Sequence, residues 1–359
     1  MTWFLERNDL FDTTTAKIPI NQKNLSMQKK GDVKGMSEFL KVFKRVIGGS
    51  TLKDYAKSHV LMHAAALTAI EGTSKKSLEI VQESVFNKIV RRLRKENSAF
   101  IADFKKGDAE RSKLPHVRSN KVWVCWLQGI EEAPDIVKRC YSSLLDHLTD
   151  REVILLSKDN YRNWVTFPDY IQEKIDKGII GSAHASDLLR LELLEHYGGT
   201  WIDATVFCSG KDIPDYIWNS DLFLYQIMRP GLDGHAQRTS NWFITACTNE
   251  PVLRLVKELL YHYWQNHSKA VDYYIFHDFM ELAIEAYPEI WKKVVPVSSS
   301  IPHILLFRLE EPYDDNIWQA AKKMTPFHKL SWKFTDEQLE NMKQPDTFYR
   351  VVLFDEKKE

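Results

Sequence analysis

Two aspartates and an arginine are the residues of this chain best suited to chemistry, and they lie close together in the sequence. They fall within residues 186–206, which read S-D-L-L-R-L-E-L-L-E-H-Y-G-G-T-W-I-D-A-T-V. A carboxylate can hold a divalent cation, and the planar guanidinium of an arginine matches the oxygens of a phosphate group. Asp187, Arg190 and Asp203 could therefore bind a phosphate-bearing ligand, provided that the fold brings them together.

The predicted elements around these residues favour such a meeting. A helix is predicted from Ser186, a good capping residue, to the glycine pair at 198–199. Its broad apolar face consists of Leu188, Leu189, Leu191, Leu193 and Leu194. On this helix Asp187 and Arg190 would lie three residues apart on one side of the first turn.

A buried strand is predicted directly after the glycines, from Thr200 to Phe207, because this segment is rich in β-branched and aromatic residues. Alternation would point Trp201, Asp203 and Thr205 to one face of the strand. An aspartate in the middle of a buried strand is costly unless it is neutralised, and a divalent cation held against a diphosphate is one common solution. The segment therefore predicts a nucleotide-sugar site.

Each of these residues also has an ordinary structural interpretation when it is taken alone. Asp187 could be a carboxylate at a helix N-terminus, with Arg190 as its ion-pair partner. Asp203 could accept hydrogen bonds from backbone amides, and Trp201 could be a core residue. The combination of helix, double glycine and strand aspartate favours a binding site over these interpretations.

Several further segments carry a family resemblance. They are V-W-V-C-W-L-Q-G at 122–129, Ala133-Pro134, A-S-D-L-L-R, Y-G-G-T-W-I-D-A-T, N-W-F-I-T-A from Asn241, D-Y-Y-I-F-H from Asp272 and P-F-H-K-L-S-W-K from Pro326. With these segments the chain resembles the bacterial capsular polysaccharide synthesis glycosyltransferases. That family lies within the DXD-containing sugar transferases, which include the catalytic domain of large glucosylating toxins. The resemblance runs from near Lys121 to near Lys333.

The resemblance implies an α/β fold of the glycosyltransferase A type, which is a Rossmann-like nucleotide-diphospho-sugar transferase fold. It implies that Asp187 and Arg190 hold the ribose and diphosphate side of a nucleotide-sugar donor, for which UDP is the expected nucleotide. Trp201 matches an aromatic position close to the nucleotide and sugar. Trp126 and Leu127 match positions where the first strand contacts the base.

A metal site is also implied, with Mn²⁺ or Mg²⁺ as the cofactor. Asp203 matches the first aspartate of the DXD motif, but the second aspartate is replaced by Thr205. A threonine hydroxyl is a neutral and weaker ligand, which would act more plausibly through a bound water. His328 and Trp332 lie in a C-terminal segment that closes over the donor in relatives and can add to the metal or phosphate shell. The ligand set is open at this stage.

The expected chemistry explains why such residues are needed. Breaking a sugar–phosphate bond leaves a nucleoside diphosphate with developing negative charge, which a cation and Arg190 would stabilise. The resemblance implies retention of the anomeric configuration, in which the departing phosphate oxygen takes the acceptor proton. An inverting enzyme would need a general base, for which Asp278 beside His277 is the candidate, although His277 could equally be a packed histidine. Asn241 could orient the donor or the acceptor.

Three functions compete on the sequence. The first is a metal-dependent, retaining glycosyltransferase that moves a hexose or N-acetylhexosamine to a lipid-linked or growing surface or capsular polysaccharide. The second is a non-catalytic nucleotide- or glycan-binding module derived from such an enzyme, which Thr205 alone supports. The third is a glycoside hydrolase that uses Asp187 and Asp203 as paired carboxylates, but it leaves Arg190 without a role.

The chain of 359 residues can hold one α/β domain with an extension. We expect a mainly helical N-terminal extension over residues 1–115, a catalytic domain over 116–345 and a tail over 346–359. Strands are predicted at 122–127, 152–156 and 221–227, helices at 134–148, 170–177, 251–267 and 273–287, and a loop near the acceptor at 231–239. The alternation of strands and helices favours a parallel sheet with nucleotide at its strand ends.

Composition narrows the partners and the compartment. The 49 basic and 49 acidic residues balance, whereas a nucleic-acid-binding chain would normally be basic. The longest apolar stretch, residues 60–70, is too short to span a bilayer, and the N-terminus lacks the pattern of a secretory signal. Four dispersed cysteines favour free thiols in a reducing compartment. We therefore expect a cytoplasmic protein.

One predicted helix could contact the inner surface of a membrane. Its apolar positions at helical spacing are Leu78, Val81, Val85, Ile89 and Leu93. Its basic cluster consists of Lys88, Arg91, Arg92, Arg94 and Lys95. A basic amphipathic helix can lie on an anionic membrane, where a lipid-linked acceptor would be found. A solvated face above a core-facing stripe explains the pattern equally well.

Overall fold

The structure is a computed structural model that describes residues 60–228 and 236–354. The helices predicted before Val60 and most of the loop predicted at 231–239 lie outside the described residues. Two units are distinguished, and they divide between Ile89 and Val90. Within the described ranges, no helix is long and apolar enough to cross a membrane.

The described part of the first unit is helical, as predicted. It contains α1 (Leu61–Glu71) and the first half of α2 (Lys75–Lys106). Within this unit His63 Nε2 lies 2.9 Å from Ser84 Oγ. The apolar positions predicted for α2, from Leu78 to Leu93, are all buried. Their spacing therefore identified the core-facing side of the helix.

The second unit is a mixed α/β structure. Its strands are β1 (Lys121–Cys125), β2 (Glu152–Leu156), β3 (Gly199–Ile202), β4 (Val206–Cys208), β5 (Leu222–Gln226), β6 (Thr239–Ala246) and β7 (Phe327–Lys329). Its helices after α2 are α3 (Asp108–Arg111), α4 (Asp135–His147), α5 (Asp169–Asp176), α6 (Ser182–Tyr197), α7 (Asp215–Asn219), α8 (Pro251–Asn266), α9 (Ile275–Ala286), α10 (Pro288–Trp291), α11 (Ile304–Arg308), α12 (Asp315–Met324) and α13 (Asp336–Met342). Short 3-10 turns lie at Ile130–Glu132 and Tyr161–Asn163, and a π-helical turn at Tyr349–Phe354.

Five strands form the central sheet, in the order β2-β1-β3-β6-β5. β1 is parallel to both β2 and β3, whereas β6 is antiparallel to β3 and to β5. β5 therefore runs in the same direction as β1, β2 and β3, and the predicted parallel orientation is correct for these four strands and wrong only for β6. β6 was not predicted, and it is the strand that reverses the direction of the sheet. Its register places Ile244 beside Trp201, which in turn lies beside Trp123.

The predicted single strand from Thr200 to Phe207 is wrong, because it is two strands in two different sheets. β3 ends at Ile202, and β4 leaves the central sheet to pair with β7. Asp203 lies in the turn between them, where its amide donates to the Trp242 carbonyl oxygen at 2.9 Å. Asp203 is thus at the carboxyl end of a strand, and its side chain is 25% exposed instead of buried in mid-strand.

The predicted start of α6 at Ser186 is also wrong. The helix begins at Ser182, with Gly181 at its N-cap, because the residues between Gly181 and Ser186 continue the helical path. Asp187 and Arg190 therefore lie one turn deeper in the helix than predicted. The other end is confirmed: Gly198 caps α6, with φ of 63° and its amide bonded to the Leu194 carbonyl oxygen.

Candidate functional site

The candidate site lies at the carboxyl ends of the parallel strands β1 and β3. β1 runs into Trp126 and Leu127, and β3 runs into Asp203. α6 packs against β1, β3 and β6 and carries its polar side chains to the same place. Ligands of open α/β sheets bind outside the carboxyl ends of strands, so this edge is where a cofactor or substrate is expected.

The double glycine sets the close approach of α6 and β3 to β1. Gly199 has φ of 95°, and a Cβ atom built on it would lie 2.3 Å from the Lys121 carbonyl oxygen. The indole nitrogen of Trp123 donates to the Gly198 carbonyl oxygen at 2.9 Å. A side chain at Gly199 would push apart the two strands whose ends form the site.

Arg190 lies at the centre of the polar cluster. One of its terminal nitrogens is 3.4 Å from Asp187 Oδ1 and 3.7 Å from Asp203 Oδ1. The other donates to the Asn241 carbonyl oxygen at 2.5 Å. The Asn241 side-chain amide donates to Asp187 Oδ1 at 2.9 Å. The structure thus brings together four of the predicted site residues, from α6, the turn after β3, and β6.

Trp201 contacts both Arg190 and Asp203 of this cluster. The guanidinium carbon of Arg190 lies 4.7 Å from the centre of its ring. The indole nitrogen of Trp201 donates to Asp203 Oδ1 at 2.9 Å. Because Trp201 is only 1% exposed, it holds both the arginine and the aspartate in fixed positions.

Lys329 is a site residue that the sequence reasoning missed. Its ammonium donates to Thr205 Oγ1 at 2.6 Å and lies 3.6 Å from Asp203 Oδ2. The two oxygens of Asp203 therefore face two different cations. The signal in the sequence was a lysine within the largely apolar segment F-H-K-L, but the neighbouring His328 was predicted as the site residue instead.

His328 is not brought to the cluster. Neighbouring residues of a strand point to opposite faces, and Lys329 occupies the face toward Asp203. His328 is fully buried, with Nε2 2.9 Å from Ser209 Oγ and its ring 5.0 Å from that of Trp318. Burial lowers the pKa of His328 to about 3. Its surroundings are those of a packed core histidine.

Trp126 and Trp332 form an aromatic pair beside the cluster, and Leu127 follows Trp126. The two indole rings meet edge to face, with centres 5.7 Å apart and planes at 86°. Trp332 is 45% exposed. The indole nitrogen of Trp126 is buried and has no hydrogen-bond partner among the described residues. A buried donor without a partner costs free energy, so this nitrogen is suited to a ligand acceptor.

His277 and Asp278 lie on α9 and are both buried. Burial lowers the pKa of His277 to about 3, and the charge of Arg190 adds to the shift. Burial raises the pKa of Asp278 well above its ordinary value, and neither of its carboxyl oxygens has a hydrogen-bond partner among the described residues. The histidine is therefore neutral, and the carboxyl group favours its protonated form.

The fit of a metal ion depends on which oxygens of the cluster are exposed and not already engaged. No group of three or more histidine, cysteine, aspartate or glutamate residues is placed to hold a metal ion within 60–228 and 236–354. Asp203 offers one carboxylate, and the Thr205 hydroxyl already accepts from Lys329. This set fits an ion such as Mg²⁺ that is bound by one carboxylate, with substrate phosphates and water completing its shell.

A family model and one known protein match this chain in sequence. A family model described as capsular polysaccharide synthesis protein matches residues 69–352. The O-glycosyltransferase braB of Annulohypoxylon truncatum is 29% identical over 171 residues, which are 43% of this chain and 39% of that protein. The match therefore spans well under half of the relative's length.

Two solved structures are weakly similar. The PaToxG glycosyltransferase has a TM-score of 0.34 and 13% identity, over 76% of this chain and 97% of that one. The catalytic domain of alpha-toxin from Clostridium novyi has a TM-score of 0.28 and 11% identity, over 95% of this chain and 96% of that one.

Proposed function

Because the chain belongs to the capsular polysaccharide synthesis protein family, we propose that it is a glycosyltransferase that moves a hexose or N-acetylhexosamine from a UDP sugar to a surface or capsular polysaccharide. The observation that carries the proposal is the cluster around Arg190, in which a buried guanidinium and an open aspartate meet at the ends of parallel strands. We assign residues 116–345 to a catalytic domain of the glycosyltransferase A type, after a helical extension and before a short tail.

The donor is proposed to lie across this cluster. Arg190 and Asp187 would hold the diphosphate and ribose, since a guanidinium matches phosphate oxygens and a carboxylate accepts from hydroxyl groups. The uracil ring would lie against Trp126, Leu127 and Trp332. A carbonyl oxygen of the base can accept from the buried indole nitrogen of Trp126, which supports the placement.

The transfer is proposed to retain the anomeric configuration. The bond between the anomeric carbon and the β-phosphate oxygen breaks, and the acceptor hydroxyl oxygen bonds to the same face of that carbon. The acceptor proton passes to the departing phosphate oxygen, and Arg190 stabilises the charge of the diphosphate. His277 is a weak base because burial lowers its pKa to about 3, and burial shifts Asp278 toward its protonated form, which has no free carboxylate to accept a proton; both points support retention over inversion.

A divalent cation is part of the proposal, and Asp203 is the residue that would hold it. When bound, Mn²⁺ or Mg²⁺ supplies charge neutralisation for the departing diphosphate. Asn241 is proposed to position Asp187 through its amide and Arg190 through its carbonyl oxygen. Acceptors would include lipid-linked or growing glycans, with the protein in the cytoplasm and its basic α2 side chains near the membrane surface.

The experiment that tests the proposal is hydrolysis of UDP-, GDP- and CMP-sugars, with and without Mn²⁺. We compare the wild type with Asp203→Ala and with Asp212→Ala, an exposed carboxylate used as the control. We expect release of UDP that Mn²⁺ stimulates and that Asp203→Ala lowers about 100-fold, because the residue orients the diphosphate and its cation. Binding of a nucleotide with no donor consumed, even when acceptor glycans are supplied, would favour a binding module instead.

A further inference from the structure

Lys329 is a buried cation that faces the same aspartate as Arg190. Its ammonium lies 2.6 Å from Thr205 Oγ1, 3.4 Å from the Leu330 carbonyl oxygen and 3.6 Å from Asp203 Oδ2. The side chain is only 7% exposed. Removing an ammonium from water is costly, and a hydroxyl and a carbonyl oxygen compensate this cost only in part. The placement therefore calls for a further negative partner.

The backbone fixes this ammonium with respect to the turn that carries Asp203. Lys329 is paired with Val206 in the β4–β7 ladder. Its amide donates to the Pro302 carbonyl oxygen, and the Leu330 amide donates to the Thr205 carbonyl oxygen, each at 2.9 Å. The backbone is held on both sides of the lysine, so its ammonium is already positioned beside Asp203 before a ligand binds.

The local charges leave room for an anion. Asp203 Oδ1 is engaged by Trp201 and Arg190, and Oδ2 is the oxygen nearest to Lys329. Position 205 carries a neutral threonine where a second carboxylate would neutralise the lysine. Arg190 has Asp187 as a second carboxylate partner, whereas Lys329 faces only the partly exposed Asp203 among the ion pairs of the described residues, and a diphosphate approaching that aspartate would meet both cations.

We propose that Lys329 binds the diphosphate of the nucleotide-sugar donor directly, beside position 205 of the turn, where a second carboxylate would otherwise hold a cation. The fixed ammonium supplies part of the positive charge that the departing diphosphate requires. This inference rests on the proposed function and extends it: nucleoside diphosphate binding persists without a divalent cation, and Lys329 contributes to that binding together with Arg190.

The test is calorimetric titration of the protein with UDP, first in excess EDTA and then with Mn²⁺. In EDTA we expect Lys329→Met to bind UDP at least about tenfold more weakly than the wild type, which corresponds to about 1.4 kcal/mol. Lys329→Arg is the matched control, because it keeps the charge, and we expect its affinity to stay within a few-fold of the wild type. Thermal unfolding of each variant checks that the fold is retained.

A second pair of variants tests the same inference without removing the lysine. Thr205→Asp places a carboxylate beside the ammonium, so we expect weaker UDP binding in EDTA and a larger gain on adding Mn²⁺. Thr205→Asn is the matched control, because asparagine has nearly the same shape as aspartate and no charge. This variant should bind UDP in EDTA as the wild type does.

The outcomes separate the inference from the proposed function. Equal UDP affinity in EDTA for the wild type, Lys329→Met and Thr205→Asp would overturn the role of Lys329 and leave the glycosyltransferase proposal standing. If the wild type binds neither UDP, GDP nor CMP, with or without Mn²⁺, both proposals are contradicted.

Discussion

The Arg190 side chain contacts two carboxylates, the Trp201 indole ring, the Ser186 hydroxyl and the carbonyl oxygens of Ser186 and Asn241. These contacts together hold the plane of the Arg190 guanidinium in one orientation. The residue is thus built to bind an anion of defined shape and not only of defined charge.

Arg190→Lys keeps the charge and removes the planar fork. An ammonium cannot reach Asp187, Asp203 and the Asn241 carbonyl oxygen at once, so the diphosphate loses directed hydrogen bonds. We expect kcat/KM for donor hydrolysis to fall about 100-fold, which is about 2.7 kcal/mol of transition-state stabilisation. Steady-state kinetics on the donor identified by the sugar panel measure this loss.

The control for that variant is Arg94→Lys, since Arg94 forms an exposed, two-pronged pair with Glu285 away from the cluster. Its kinetics should match the wild type. If Arg190→Lys also matched the wild type, Arg190 would be only a structural partner of Asp187.

Residue types could be predicted from the sequence more fully than their partners. Asp187, Arg190, Trp201 and Asp203 carry recognisable chemistry in a short segment, and the structure brings them together. Lys329 could not be found this way, because its contact with Thr205 spans 124 residues and depends on the register of two short strands. The sequence analysis predicted the neighbouring His328 instead of Lys329. Because side chains alternate along a strand, His328 points into the core.

At the scale of elements, strand β3 depends on two glycines that no other residue can replace without strain. Both glycines have positive φ. The Lys121 carbonyl oxygen of β1 lies close to Gly199, and the Val117 carbonyl oxygen, just before β1, lies close to Gly198. The elements on either side hold the arginine and the aspartate of the cluster. The geometry of this junction therefore decides whether the two residues meet.

Gly199→Ala should destabilise the protein by at least about 2 kcal/mol, because φ of 95° and a Cβ contact of 2.3 Å with the Lys121 carbonyl oxygen both oppose a side chain. Denaturant unfolding of the variant gives this difference. Gly210→Ala is the matched control, since nothing lies within 4 Å of a Cβ atom there. Equal stabilities for the two variants would contradict the close approach of β3 and β1.

Four helices and the strands β1, β2 and β5 were the elements best predicted from sequence. α4, α5, α8 and α9 lie within two residues of their predicted bounds, as do β1 and β5, and β2 matches at both ends. These elements have a local pattern of apolar residues. β4, β6 and β7 do not, because their existence depends on pairing with distant segments, and the end of β3 depends on the switch of sheet.

At the scale of the whole molecule, stability should depend on buried carboxyl groups. Burial raises the pKa of Asp278 well above its ordinary value and that of Glu250 to about 7. The folded state then keeps protons that the unfolded chain releases above about pH 4. The contribution of these two carboxyl groups to the free energy of unfolding should therefore fall as the pH rises from about 4 toward 7, whereas the buried His277 and His328, with their lowered pKa values, contribute in the opposite direction.

Asp278→Asn removes one of these carboxyl groups and keeps its shape. We expect the variant to gain stability relative to the wild type as the pH rises. Only the wild type has a buried carboxyl group that must either keep its proton or carry a buried charge, and keeping the proton costs more free energy at higher pH. Denaturant unfolding at pH 5 and pH 8 gives the two differences. Asp103→Asn, at an exposed position, should show no such trend.

A parallel measurement of donor hydrolysis separates stability from catalysis. Since retention requires no carboxylate base, Asp278→Asn should keep its turnover at a temperature where both proteins are folded. Loss of turnover with the fold intact would instead identify Asp278 as a general base and favour inversion.

The pairing of β4 with β7 also sets the order in which this protein can mature. During synthesis, α6, β3 and Asp203 leave the ribosome long before Lys329, which follows Thr205 by 124 residues. Until β7 arrives, β4 has an open edge and Asp203 lacks the second cation. A nascent or prematurely terminated chain that stops before Pro326 thus carries the arginine cluster but not Lys329, so on the proposed role of this lysine the donor site is complete only after β7 has been synthesised.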